Sequence, residues 1–359
     1  MNLTLSETHE SIRDSIRQQL QREMSWERVA KALADGQHDG PLWKRLAADG
    51  WLGLPFPEAS GGGGADLLDI AVALEELSRA AAVVPFAETM ACAYTLSRAG
   101  TDEGRAALAA AILENAGSVT QALGPQAEQD GHRRFSGGVL QGSARYVDYG
   151  LSCTHHLVGA REDGGERLFL VDARAPGVTQ RPLRNIGHTP QTTAAYADVA
   201  AIPAGGEEAA VLLDQVSTVL CCVQLLAFAQ QALDITVGYV KDREQFGRPL
   251  GSFQAVQQQA ADMALAVEAT RFLTYEAVWK VDHGTASAAD VATAKAAASR
   301  TAVSVTMTAH QLHGGMGMTE EYPLHFFSRR AKERSLAWGS EQESLAVLAG
   351  SIADQVDWR

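Results

Sequence analysis

The chain has 359 residues, 46% of them hydrophobic and 20% charged, with a net charge of −13 at pH 7. That length suits two or three domains with a core that needs no disulfide or structural metal, and the acidic balance offers no broad field to nucleic acid or an anionic membrane. The four cysteines (Cys92, Cys153, Cys221 and Cys222) form no CxxC pair, the first residues are polar rather than a signal peptide, and no continuous apolar run reaches ~18 to 20 residues; a cytoplasmic protein without structural zinc is expected.

From Ser6 to about Asn115 the sequence reads as helices, with Pro41 to Trp51 and Asp66 to Ala80 as amphipathic segments. Between them Leu52 to Gly64 (LGLPFPEASGGGG) is a loop, because two prolines and four glycines cannot continue a helix. The period then changes to two: Gly138 to Val147, His156 to Ala160, Arg167 to Ala173, Val178 to Leu183 and Thr192 to Ala200 read as strands, with Gly164 and Gly165 as a hairpin turn. Helical periodicity returns over Glu207 to Arg243, Phe253 to Asp282 and Ala286 to His313, with shorter pieces to Asp357. In the second of these, Phe253, Val256, Ala260, Met263 and Val267 form a stripe that faces a bundle core. The reading is an α+β protein in three parts: an N-terminal helical domain (1–115), a middle β domain (116–206) and a C-terminal four-helix bundle (207–359).

Three segments carry chemistry. Gly50 to Ala80 joins the glycine loop to an acidic helix. Tyr239 to Gln254 (YVKDREQFGRPLGSFQ) ends a long helix in a turn that leaves Arg243 and Phe246 displayed, a cation able to grip a pyrophosphate and a ring able to cover an adenine or ribose. Gln311 to Lys332 (QLHGGMGMTEEYPLHFFSRRAK) places Gly314, Gly315 and Gly317 at a helix end, where backbone can approach a ligand closely. His310 and His313 have no carboxylate or cysteine set beside them and read as structural rather than metal-ligating, and His155 and His156 point to opposite faces of a strand.

In this order the three segments resemble the acyl-CoA dehydrogenase family, whose patterns are GLxGxPxPExxGG…ExLxR, YxxxRxQFGxPxxxFQ and QxxGGxGxxxEYPxxxxxRDAK. The resemblance implies a helical domain, a small β-barrel-like domain and a four-helix bundle, with α,β-desaturation of an acyl-CoA thioester by FAD. It also implies a tetramer that shares FAD across subunits, in which Arg243, Gln245, Phe246, Gln311, Gly314 and Gly315 meet the ADP half of a neighbour's cofactor.

The family needs a carboxylate to take the α-proton, because a thioester α-hydrogen is only weakly acidic. Counting from the glycine turn, its usual position falls on Ala337-Trp338-Gly339-Ser340, so that Trp338 replaces the base. An indole N–H only donates and cannot accept the proton. The family's other base position falls near Ser217 and Thr218, also without a carboxylate. The stretches matching the flavin-ring segments, Val119 to Gln129 and Ser143 to Gly150, keep little of the family pattern, with Tyr146, Val147 and Tyr149 where ring-contacting residues stand. This asymmetry resembles the base-lacking chains of bacterial heteromeric members. Two other readings are an active homomer with a relocated base, Glu341 first and Glu343 second, and a flavin-dependent oxygenase that needs no base.

Overall fold

The computed structural model describes residues 5–123, 133–163 and 165–353. The chain forms two compact units, Met1–Trp26 with Ala71–Ala82 and Thr218–Arg359, and Glu27–Ile70 with Val83–Ser217.

The second unit joins short helices to a sheet. Helices α2 (Trp26–Asp35) and α3 (Gly40–Ala48) precede two 3-10 turns, Trp51–Gly53 and Glu58–Ser60, which occupy the expected proline–glycine loop. Asp39 starts α3 by accepting the Leu42 N–H at 3.0 Å, with Pro41 in the first turn. Helix α5 (Phe86–Ala99) is buried from Phe86 through Leu96 and behaves as a core helix. Its Thr89 hydroxyl both donates to and accepts from the backbone of Val119, at 3.1 Å each, docking the helix on the first strand. Helix α6 (Asp102–Ala109) starts at the Thr101 cap.

Among the described residues eight strands form one sheet: β1 (Val119–Ala122), β2 (Arg134–Ser136), β3 (Val139–Asp148), β4 (His155–Glu162), β5 (Gly165–Asp172), β6 (Val178–Leu183), β7 (Gln191–Ala200) and β8 (Ile202–Gly205). The order is β6-β7-β3-β2-β4-β5-β8, and β1 adds to β4 in parallel. The five strands expected from period-two runs are β3 to β7, while Gly165 belongs to β5 rather than to the turn. The inward residues Leu140, Val158, Phe169, Val171 and Tyr196 build the core of this sheet. Irregular register in β3 next to Tyr146 bends the strand, as bulges do.

The first unit is helical: α1 (Glu7–Glu23), most of α4 (Leu67–Arg79) and of α7 (Glu207–Asp242), then α8 (Gln254–Asp282), α9 (Ala288–His313), α10 (Leu324–Arg334) and α11 (Glu341–Ala353). Helix α7 is apolar enough by length and composition to cross a membrane, but 72% of its most apolar window is buried in the protein, as for the core helix of a soluble fold. Counting continuous apolar residues misses this helix because Gln, Ser and Thr interrupt the run. Met263 and Val267 of the α8 stripe are buried, and α9 presents the small residues Ala294, Ala298, Ala302 and Ala309 inward, letting neighbouring backbones approach. Thr270 of α8 donates to Thr301 of α9 at 2.8 Å. Between α4 and α8, Arg271 and the Tyr275 hydroxyl grip Glu75, while Arg17 of α1 holds Glu76 with two hydrogen bonds.

Candidate functional site

At one end of the bundle α7 runs out at Asp242, and the chain turns back through a tight hairpin, Glu244–Gln245 paired with Arg248–Pro249. The two turn residues, Phe246 and Gly247, have φ of 56° and 77°, the double left-handed geometry of a two-residue hairpin. For a phenylalanine this is an unusual backbone state, and the side chain it sets out is 90% exposed. Arg248 covers the ring of Phe253 at 4.0 Å, and Phe246 meets the same ring edge-on at 6.1 Å. Arg243 and Gln245 are exposed, and the Arg243 guanidinium makes no ion pair with the described residues.

The glycine segment closes α9. Gly314 takes φ 59°, and a short 3-10 turn, Gly314–Met318, follows. Gln311, Gly314 and Gly315 are exposed, with open space where a Cβ of either glycine would lie. Gly317 is different, since its Cβ would fall 2.8 Å from that of His313. Met316 and Met318 are also exposed.

These two motifs meet at the same end of the bundle through Tyr239 and His313, 74 residues apart in sequence. Tyr239, one helical turn before Arg243, stacks on His313 with ring centroids 4.3 Å apart, and its hydroxyl donates to the His313 carbonyl at 3.4 Å. The Tyr239–His313 contact thus joins the end of α7 to the start of the glycine turn. The two segments carry groups of the kind that could hold the ADP half of FAD: an exposed guanidinium with no ion pair among the described residues, an exposed ring and open backbone at a helix end.

Trp338 and Glu341 sit elsewhere, in and just after the connection between α10 and α11. Trp338 is half-buried with φ 55° and is followed by Gly339 at 90°. The connection is held from both sides. On the α10 side the buried Lys295 ammonium donates to Ser299 Oγ at 2.8 Å and to the Ser335 carbonyl at 3.2 Å, while Cys221 Sγ reaches the Arg334 carbonyl. On the α11 side Ser340 and Glu343 make a reciprocal cap, Glu343 N–H to Ser340 Oγ at 3.2 Å and Ser340 N–H to Glu343 Oε2 at 2.6 Å. These bonds lower the Glu343 pKa. Glu341 is held by the Arg300 guanidinium, with contacts of 2.7 and 2.6 Å. Arg300 lies eleven residues before Gln311 on α9, about 16 Å along the helix axis, so this connection and the glycine turn are separate places.

In the sheet-bearing unit Ser217 accepts a hydrogen bond from Gln121 Nε2 at 3.3 Å, and the same nitrogen donates to the Glu88 carbonyl at 3.1 Å. Tyr146 is exposed with φ 57°, Val147 is buried, and Tyr149 is buried with φ 55°. The rest of the Val119 to Gln129 segment, beyond residue 123, lies outside the described residues.

Several buried charged residues and one aromatic cluster lie outside what the sequence pattern indicates, Glu88 and Lys295 among them. Glu88 is 6% and Lys295 1% exposed. A lysine in register with Val291, Ala298 and Ala302 on an alanine-rich helix was a legible signal for burial. The cluster of Tyr239, His313 and Tyr322 lies inside the motifs; spacing marks His313 as a structural histidine but does not name its two tyrosine partners.

Comparison with known proteins agrees with this layout. The profile of the acyl-CoA dehydrogenase N-terminal domain matches residues 6–115, and that of the acyl-CoA dehydrogenase C-terminal domain matches residues 215–353. Acyl-CoA dehydrogenase FadE27 of Mycobacterium tuberculosis (strain ATCC 25618 / H37Rv) is 32% identical over 337 residues, covering 88% of this chain and 89% of the relative. The structure of a variant of the Tcur3481-Tcur3483 steroid ACAD superimposes with a TM-score of 0.91 at 31% identity, covering 98% of this chain and 99% of that one. A chain of the ChsE4-ChsE5 complex from Mycobacterium tuberculosis gives 0.92 at 29% identity, covering 99% and 100%. The chain belongs to the acyl-CoA dehydrogenase family.

Proposed function

We propose that this chain is the base-lacking subunit of a heteromeric, cytoplasmic FAD-dependent acyl-CoA dehydrogenase and completes the cofactor site of a partner chain. The observation that carries the reading is the contrast between the two ends. The connection expected to hold the proton-accepting carboxylate keeps a tied turn but presents Trp338, whereas the nucleotide-facing end displays Arg243, Phe246 and the glycine turn to solvent. The complexes named among the similar structures support the same direction.

FAD, when bound, would supply the hydride acceptor. In this reading Arg243 pairs with its pyrophosphate, Phe246 covers the adenine or ribose, and Gln311 with Gly314 and Gly315 gives backbone and amide contacts. Trp338 has no atom able to take the α-proton of an acyl-CoA thioester, so the chain's part is to bind and orient a cofactor whose reaction is completed on the partner. Glu341 is a poor substitute base, because its carboxylate is already engaged by Arg300.

Visible absorption tests the reading directly. The chain produced alone is expected to retain little flavin and show no turnover, and co-production with a glutamate-bearing paralogue to give a yellow, active complex. Near-stoichiometric flavin and dehydrogenase activity in the pure homomer would overturn it. In the active complex Glu341→Gln should leave turnover within about twofold, since an exposed ion pair contributes ~1 kcal/mol or less; abolished turnover would favour the homomer with a relocated base.

A further inference from the structure

The Tyr239–His313–Tyr322 cluster lies where the two nucleotide-facing motifs meet, and none of its members belongs to the proposed contact set. His313 is 3% exposed although it is polar. Its Nδ1 is 2.7 Å from the Ala309 carbonyl and its Nε2 3.0 Å from the Tyr322 hydroxyl. A carbonyl only accepts, so Nδ1 carries the proton and Nε2 accepts from the Tyr322 O–H. Burial, the largest cause, lowers the His313 pKa and favours this neutral tautomer. One face of the imidazole stacks on Tyr239, and the Tyr322 ring packs against it at 4.9 Å.

Each partner ties a different segment. Tyr239 belongs to the last turns of α7, and its carbonyl accepts the Arg243 N–H at 2.8 Å. Tyr322 lies beyond the glycine turn and so fixes its far end. The turn itself closes over His313 at Gly317, where any side chain would meet the His313 Cβ. One imidazole therefore touches the helix that carries Arg243, the start of the glycine turn, its interior and its exit.

We propose that His313 is a positioning residue for adenine-nucleotide binding: through Tyr239 and Tyr322 it locks the Gly314–Met318 turn to the Arg243 end of α7, so that the two segments act as one surface. The inference rests on the reading of that end as an ADP-binding surface, and the test separates the two. Tyr322→Phe removes only the hydroxyl. His313→Asn places an amide near the Nδ1 position and loses the Nε2 acceptor, while His313→Gln reaches the Nε2 position.

ADP binding to the flavin-depleted complex with the glutamate-bearing paralogue is measured by equilibrium dialysis, alongside amide hydrogen exchange of residues 314–318. Tyr322→Phe and His313→Asn are expected to weaken ADP binding by about fivefold to tenfold, the scale of one hydrogen bond, and to speed exchange in the turn. His313→Gln should stay within about threefold of wild type, a rescue that loss of packing alone would not produce. Arg243→Ala reports on the underlying surface: no ADP binding in the wild type, or no effect of Arg243→Ala, removes that reading and this proposal with it. If Arg243→Ala abolishes binding while Tyr322→Phe and His313→Asn leave both affinity and turn exchange unchanged, the surface stands and the positioning role of His313 is wrong. Equal losses in His313→Asn and His313→Gln would likewise overturn it.

Discussion

At His156 burial sets an acid limit on the fold. The ring is fully buried, accepts from the Tyr196 hydroxyl at 2.9 Å and donates to the Gly150 carbonyl at 3.3 Å, and burial pushes its pKa down to about 4. The unfolded chain, with histidine near its ordinary value of ~6.5, then binds more protons than the native protein between these limits. Stability is whole above pH ~6.5 and falls as pH drops toward 4. His156→Phe should flatten that slope in denaturant titrations at several pH values, yet cost about 1–3 kcal/mol at pH 7 by leaving Tyr196 O–H unpaired. Trp338 carries the opposite kind of constraint, a bulky residue in left-handed backbone held by ties on both sides. Trp338→Glu restores a carboxylate at that turn but not the altered ring segments, so turnover by the chain alone should stay absent; measurable desaturation would show those segments to be competent.

Between elements, close approach and buried charge give the sharpest expectations. A Cβ on Gly104 of α6 would lie 2.5 Å from the Ala204 Cα of β8, whereas one on Gly40 of α3 meets nothing within 4 Å. Gly104→Ala should therefore destabilise by about 1–3 kcal/mol and Gly40→Ala by far less, as read from urea midpoints. Glu75 joins α4 to α8 while buried, held by Arg271 at 2.7 and 3.0 Å and by Tyr275 at 2.5 Å. Glu75→Ala leaves Arg271 with only the longer ion pair to Glu268 at 3.7 Å and the Tyr275 hydroxyl without its acceptor, and should cost about 1–3 kcal/mol, whereas breaking the exposed pair Lys31–Asp35 should change stability far less. A small effect at Glu75 would mean that water enters readily and repairs the loss.

For the molecule as a whole, the net charge of −13 places the weight of polyanion binding on a few cations. In the function proposed above Arg243 is the cation to test first, exposed and outside any ion pair with the described residues. Flavin retention by the complex should thus fall with rising salt, and Arg243→Ala should remove most of that dependence. Phe246, Met316 and Met318 are exposed apolar side chains of the same two segments.

Much of the fold was legible from pattern alone. The strands β3 to β7 follow alternation, and α7, α8 and α9 follow their periodic runs to within about two residues, because periodicity and glycine–proline breaks are local properties of the chain. The Arg243–Phe246 turn, the glycine turn and the absence of a carboxylate from Ala337 to Ser340 are likewise legible, since they are residue types at fixed spacings. Other features needed tertiary structure: His313 between Tyr239 and Tyr322, Lys295 at the end of α10, Glu341 taken up by Arg300, and Glu88 beside Gln121. Each depends on which residues distant in sequence become neighbours, and on whether burial leaves a polar group one partner or several. Sequence by itself determined the order of helical, sheet and helical segments and the residue types at the motif positions; only the packed chain decided which side chains join the end of α7 to the glycine turn, because hydrogen bonds and stacking act over a few ångströms that spacing along the chain does not encode.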